Sequence, residues 1–158
     1  MKTTRILLLL AVFASIYADD AARKQLLETK ECINCNLRKA DLSGQNLAGV
    51  QLGVANLTGA NLSGANLAEA KISGATLIKA NLANADLTNA YIHRTEGQGA
   101  NLRGANLTGA NLSRSNFQGA DLTGAIFDKG DFFQTNFRGA KGLRSCPAQA
   151  FCDKKLKK

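Results

Sequence analysis

Four cysteines and one histidine are the residues that could do chemistry in this chain. Cys32-Ile33-Asn34-Cys35 is a C-x-x-C pair, a spacing that supports reversible thiol–disulfide exchange when its surroundings stabilise a thiolate. Cys146 and Cys152 form a second pair near the other end. Four cysteines allow three disulfide connectivities, or a zinc site if all four converge. A thioredoxin-like centre would need a βαβ setting, which is missing around Cys32. His93 stands beside Arg94 and Glu96 with no Ser/His/Asp arrangement and no metal-ligand cluster, so it reads as a lone surface histidine. No cofactor motif is present, and no enzyme activity is expected.

The elements that carry these residues follow first from composition. Ala, Leu, Gly and Asn make up 76 of the 158 residues, with one Pro and no Trp. Such bias signals repetition, while 45% hydrophobic against 20% charged residues excludes a disordered chain. Met1 to Ala18 reads as a signal peptide: Lys2 and Arg5 open it, Ile6 to Phe13 is unbroken apolar sequence, and Ser15-Ile16-Tyr17-Ala18 supplies a cleavage region. The expected cut follows Ala18, with Ala14 as the alternative. A membrane span is not expected, since the apolar run falls well short of the roughly 20 residues a bilayer needs. The mature chain should therefore be soluble and exported. The formal net charge of +8 is uneven, because residues 36–139 carry about +2 while 140–158 carry +5.

A five-residue frame runs from Leu37 to Phe137 without a slip. It gives 21 repeats, of which 20 have a large apolar centre, Gly97 being the exception. Two residues before the centre 14 of 21 are Ala, one before it 15 are Asn or Asp, and two after it 11 are Gly. On an α-helix a step of five advances about 500°, so the apolar column would spiral and leave no face to bury. In an extended chain the small residue and the centre point one way and the Asn or Asp between them the other. The Gly-rich remainder turns the chain. Three straight residues and a turn, always with the same side inward, coil into an all-β solenoid. Four Asn-Leu-Ser/Thr sequons, at Asn56, Asn61, Asn106 and Asn111, arise from this consensus and carry no separate signal for glycosylation.

The motif Ala55-Asn56-Leu57-Thr58-Gly59, followed by Ala60-Asn61-Leu62-Ser63-Gly64, resembles the pentapeptide-repeat proteins, and residues 35–139 match throughout. The layout resembles exported cyanobacterial and thylakoid-lumen members, which implies a periplasm or a thylakoid lumen, with secretion as the other destination. The resemblance implies a right-handed quadrilateral β-helix with four repeats per coil, hence about five coils and a rod about 25 Å long. The centres then sort into four columns. The first holds Leu57, Gly97 and Phe117, the second Leu62, Leu82 and Leu102, the third Leu107 and Phe127, and the fourth Phe132; these are the expected core. Phe replaces Leu near the C-terminal end, where Ser115, Gly130 and Thr135 replace Ala, a pattern that reads as volume compensation.

Exposed strand edges at both ends call for covers. Residues 19–34 should supply a capping helix and entry, and residues 140–158 a C-terminal cap and basic tail. With the cysteine pairs at opposite ends of the rod, crossed bridges and a shared zinc site are ruled out, since a disulfide needs Cα atoms within about 7 Å. Cys146–Cys152 is expected as a staple, and Cys32–Cys35 as a local bridge or a redox pair. At Gly97 the stack should have a gap or be filled by Phe117, and His93, Arg94, Glu96 and Gly97 are the candidate binding notch. A regular coil there would let Gly97→Ala stabilise the fold.

The functional expectation is a non-enzymatic exported rod that acts as a rigid protein-interaction or scaffolding module. A redox-responsive regulator using Cys32 and Cys35 is the alternative. Some family members imitate DNA with a strongly acidic rod and inhibit topoisomerases, but this solenoid is not acidic, and Arg38, Lys71, Lys79, Arg94, Arg103 and Arg114 stand at outward positions. Nucleic-acid binding is not expected either, because the basic excess sits in the tail and not in a stripe. No stable membrane insertion is expected, although the lysine tail suits weak contact with an anionic membrane.

Overall fold

A computed structural model describes residues 20–153. The expected signal peptide and the last five residues, with their four lysines, lie outside the described residues. Among the described residues no helix is long and apolar enough to cross a membrane.

From Glu31 to Lys141 the chain forms one continuous set of parallel bridges, each joining a residue to its counterpart four repeats on, such as Asn61↔Asn81↔Asn101↔Asp121. Four repeats therefore complete each coil, and the same hydrogen bonds recur along its axis. The centre N–H donates to the carbonyl just before the next centre of its own column, as Leu57 does to Thr76 (2.7 Å) and Leu102 to Asp121 (2.7 Å). Centres and small residues line the interior: Leu57, Leu62, Leu107, Leu122 and most of the intervening alanines are fully buried.

Each repeat ends in a tight turn. In 20 of the 21 the centre carbonyl accepts the N–H three positions later, as Leu57 does from Ala60 (3.0 Å). Every residue two after a centre has φ between +55° and +75°. That combination is a type II turn, which suits glycine at its third position. Ten of these positions are not glycine, and Val54 (φ 60°) is the only β-branched residue among them. Val54 is 61% exposed, so little packing offsets the strain. Left-handed strain of about 1–2 kcal/mol, set against the entropy that glycine adds to the unfolded chain, about 0.5–1 kcal/mol, gives the expected outcome. Val54→Gly should stabilise by about 1 kcal/mol, read as a higher denaturation midpoint; a lower midpoint would contradict it.

The one turn without its backbone bond is Ile92-His93-Arg94-Thr95. Here the Ser115 hydroxyl, from the coil above, donates to the Ile92 carbonyl (2.5 Å) and accepts from the Thr95 N–H (2.9 Å). Thr95 and Thr135, on either side of Ser115 in the same corner, donate their hydroxyls to the Ile72 and Leu112 carbonyls (3.0 and 2.8 Å). These small polar residues are buried yet satisfied, which adds a hydrogen-bonding role to their size. Gly130 does make room for a ring, because a Cβ there would lie 2.5 Å from Phe132.

Gly97 keeps the regular coil, donating to Asn116 (2.7 Å), and has no positive φ. The Phe117 ring fills its place: a Cβ on Gly97 would sit 2.3 Å from that ring. No notch opens, and the expectation that Ala at 97 would stabilise is overturned by this contact.

The two ends differ. Residues 20–29 form a helix whose Leu26 is fully buried in the core cluster. Arg23 Nε donates to the Asp41 carbonyl (2.8 Å) and Lys30 Nζ to that of Asn46, so side chains satisfy carbonyls on the open edge of the first coil. At the other end the chain leaves the ladder after Lys141 and returns at Phe151, which bridges Asn136 and so closes this last coil one repeat short. Gly142 makes the exit with φ +82° and packs on the backbone of Leu122 and Thr123.

Candidate functional site

The outward positions form a grid, because coils stack in register and equivalent positions of successive coils are neighbours. On the second face that grid satisfies itself. Asn61 donates to Asp41 (3.1 Å), Asn81 to Asn61 (3.2 Å) and Asn101 to Asn81 (2.9 Å). At its ends the Ser43 hydroxyl and N–H hold the Asp41 carboxyl below the usual range. The Thr123 hydroxyl and N–H, helped by Arg103 at 3.3 Å, do the same for Asp121.

The fourth face breaks the pattern. Where Asn or Asp normally precedes the centre, it carries Lys71, Tyr91, Asn111 and Asp131, stacked as consecutive bridges. Together with Glu69, Asn89, Gly109 and Lys129 of the adjoining corner they line a shallow trough of about 520 Å³. Tyr91 stands 55% exposed at its centre. Among the described residues the side chains of Glu69, Lys71, Tyr91 and Lys129 make no hydrogen bond or ion pair. A tyrosine flanked by unpaired charges of both signs suits recognition of a partner surface: it offers apolar area with a polar tip and leaves its neighbours free to pair across an interface.

Of the sequence-predicted notch, His93 and Arg94 stand on this side of the rod, whereas Glu96, which bridges Thr76 and Asn116, stands on the first face. His93 and Arg94 occupy the turn opened by Ser115, on the same coil as Tyr91, and Arg94 and Arg114 are exposed in successive coils of one corner. Gly97 is buried over Phe117 and contributes nothing to the surface. The trough itself was missed in the sequence, though a signal existed: Lys71, Tyr91 and Asp131 share one position of the frame, and the first two depart from its consensus.

The remaining predicted residues are placed as follows. Cys32–Cys35 and Cys146–Cys152 are both disulfides, with Cα atoms 5.3 and 5.9 Å apart. Cys32 is fully buried at the foot of the fourth column, and Cys152 nearly so over Phe137. Leu57, Leu62, Leu82, Leu102, Leu107, Phe117 and Phe132 are buried. Phe127 is only partly buried, because the chain that would stack on the third column has left the ladder at Gly142. Among the described residues no group of three or more His, Cys, Asp or Glu could hold a metal.

Comparison with known proteins supports the same architecture. The family model for pentapeptide repeats matches residues 35–74, 65–96 and 99–139. Among solved structures, the pentapeptide repeat protein Rfr23 from the cyanobacterium Cyanothece 51142 is 29% identical, with a TM-score of 0.69 over 85% of this chain and 99% of that one. A pentapeptide repeat protein from the Arabidopsis thaliana thylakoid lumen is 27% identical over 63% of this chain and 66% of that one (TM-score 0.42). QnrB1, a plasmid-mediated fluoroquinolone resistance protein, is 19% identical over 78% of this chain and 61% of that one (TM-score 0.49). None of the curated proteins compared with the chain matches it. With the repeat model spanning most of the chain and the ladder closing on every fourth repeat, the protein belongs to the pentapeptide-repeat family, whose members fold as right-handed quadrilateral β-helices.

Proposed function

We propose that the protein is a non-enzymatic, exported interaction module that docks a protein partner on the fourth face of its rod, around Tyr91. The supporting observation is the contrast between faces. Polar side chains on the second face are spent on one another, whereas the charged side chains of Glu69, Lys71 and Lys129 around Tyr91 are held on a rigid grid without partners among the described residues. A solenoid fixes such a surface before binding, which removes most of the ordering cost of association. Export is supported by the leader sequence and by two disulfides, which persist in oxidising compartments. The helix at 20–29 and the segment 142–152 serve as caps.

The test is to replace Tyr91 with a photo-crosslinking phenylalanine derivative in the full chain and irradiate it in the host compartment. One discrete adduct, lost when Arg94 and Arg114 are both changed to Glu, is expected. A diffuse smear unaffected by those changes would refute docking on this face. Thiol titration of the native protein separates the redox alternative, since a structural bridge leaves Cys32 and Cys35 unreactive until the chain unfolds, and a regulator exchanges them reversibly.

A further inference from the structure

The charges that line the trough around Tyr91 are arranged so that they complement themselves when the rod is turned end for end. Glu69 and Lys71 stand together on one coil, and Lys129 and Asp131 stand on the coil at the other end of the trough. In the corner column the sign runs from negative at Glu69 to positive at Lys129. In the face column it runs the opposite way, from Lys71 to Asp131. All four residues are exposed. Coils stack about 4.8 Å apart, so the opposite charges of one column are separated by about 14 Å, far beyond the reach of an ion pair. None of the four makes an ion pair among the described residues, and Asp131 accepts the Phe133 N–H (3.0 Å) without meeting a cation.

We infer that this face binds a second copy of the chain, with the two rods antiparallel, in an isologous dimer whose two-fold axis crosses the face between Tyr91 and Asn111. Each column then lies over its own counterpart with its order reversed. Glu69 meets Lys129 of the second copy, Lys71 meets Asp131 of the second copy, and symmetry repeats both pairs. Tyr91 comes level with Asn111 of the second copy, and the two tyrosines, one coil apart across the axis, pack side by side. The arrangement also sets Arg94 opposite Arg114 of the second copy. That repulsion is relieved when Arg114 turns onto the ring of the second copy's Tyr91, which is level with it one column away. Parallel rods would instead set Lys71 on Lys71 and Asp131 on Asp131. A different protein would have to reproduce the alternation of sign, whereas a second copy has it by symmetry. The inference rests on the docking reading of this face and names its occupant. Because the trough spans about 19 Å of the rod, less than a standard interface covers, the dissociation constant should be on the order of 100 µM.

The measurement is sedimentation equilibrium of the purified protein up to about 1 mM, where a reversible monomer–dimer equilibrium is expected. Lys71→Glu brings two carboxylates together at each end of the interface, and Asp131→Lys brings two ammonium groups together. Either variant by itself should therefore associate about tenfold more weakly or worse. Mixed in equal amounts, the two should regain the affinity of the unaltered protein, because each carries the charge that the other needs. Glu69→Lys mixed with Lys129→Glu repeats the test on the corner column, and it decides if either of the first two variants loses the circular dichroism spectrum of the unaltered protein. The inference is overturned if the protein stays monomeric at about 1 mM, or if single variants and mixtures associate equally. Crosslinking from position 91 separates it from the reading on which it rests. An adduct with the mass of two copies is expected; a discrete adduct of any other mass overturns the second copy as occupant and leaves docking on this face standing, whereas a diffuse smear with no rescue in the mixtures removes both.

Discussion

Gly97→Leu should destabilise the protein by about 3 kcal/mol or more, the upper end of what overpacking a core costs, even though leucine is the consensus at that position. The reason lies one coil further along the column. The Phe117 ring lies so deep under Gly97 that a Cβ there would be 2.3 Å from it, and the ring has no retreat because Phe137 stacks on its other side at a centroid distance of 6.3 Å. Gly97→Ala should cost less, about 1–2 kcal/mol, as the smallest version of the same clash. The decisive variant is Gly97→Leu with Phe117→Leu. It restores the consensus column, and a coupling of about 2–3 kcal/mol is expected between two residues in direct contact. Additive losses in chemical denaturation would show that the ring does not fill the missing centre.

Gly142→Ala should free the C-terminal segment from the last coil. The added Cβ would sit 2.3 Å from the Thr123 nitrogen and 2.6 Å from the Leu122 carbonyl carbon, and backbone atoms of a ladder cannot move aside as a side-chain tip can. Left-handed φ adds strain for any side chain, so the loss should reach about 3 kcal/mol. Gly142→Asn separates the two causes: asparagine tolerates positive φ but carries the same Cβ, and should be nearly as damaging. Gly124→Asn is the control, since that glycine also has positive φ (+75°) but its added Cβ would meet nothing nearer than 3.8 Å. It should be close to neutral. Because each coil contacts only its neighbours, the damage should stay at one end. Rapid proteolysis near residues 142–150 with a protected rod is the expected pattern. Equal protection of wild-type and Gly142→Ala chains would contradict it.

The coil itself was legible in the sequence because its cause is local. An extended triplet with a fixed inward side and a two-residue turn, repeated from Leu37 to Phe137 without slip, has no other way to bury its leucines. Local signals also marked the cysteine pairs and the break of frame after Gly139. Turn conformation was legible only where glycine announced it. Val54, Lys79 and Arg94 take positive φ because the ladder above and below leaves the backbone no alternative.

His93 and Arg94 stood out in the sequence, but Tyr91 with its unpaired charged neighbours did not. Which outward residues bond one another depends on side-chain geometry between coils, and the period alone does not specify it. The sequence by itself determined the coil and its polar skin, since each follows from neighbours within a single repeat, while the four columns came from the family resemblance and stand in the ladder that closes on every fourth repeat. Only the tertiary structure decided that Phe117 fills the place of Gly97, that a Ser115 hydroxyl opens the turn at His93, and that Phe127 stays half open. Those outcomes depend on contacts between successive coils, and on where the chain at Gly142 meets a backbone that leaves room for no side chain.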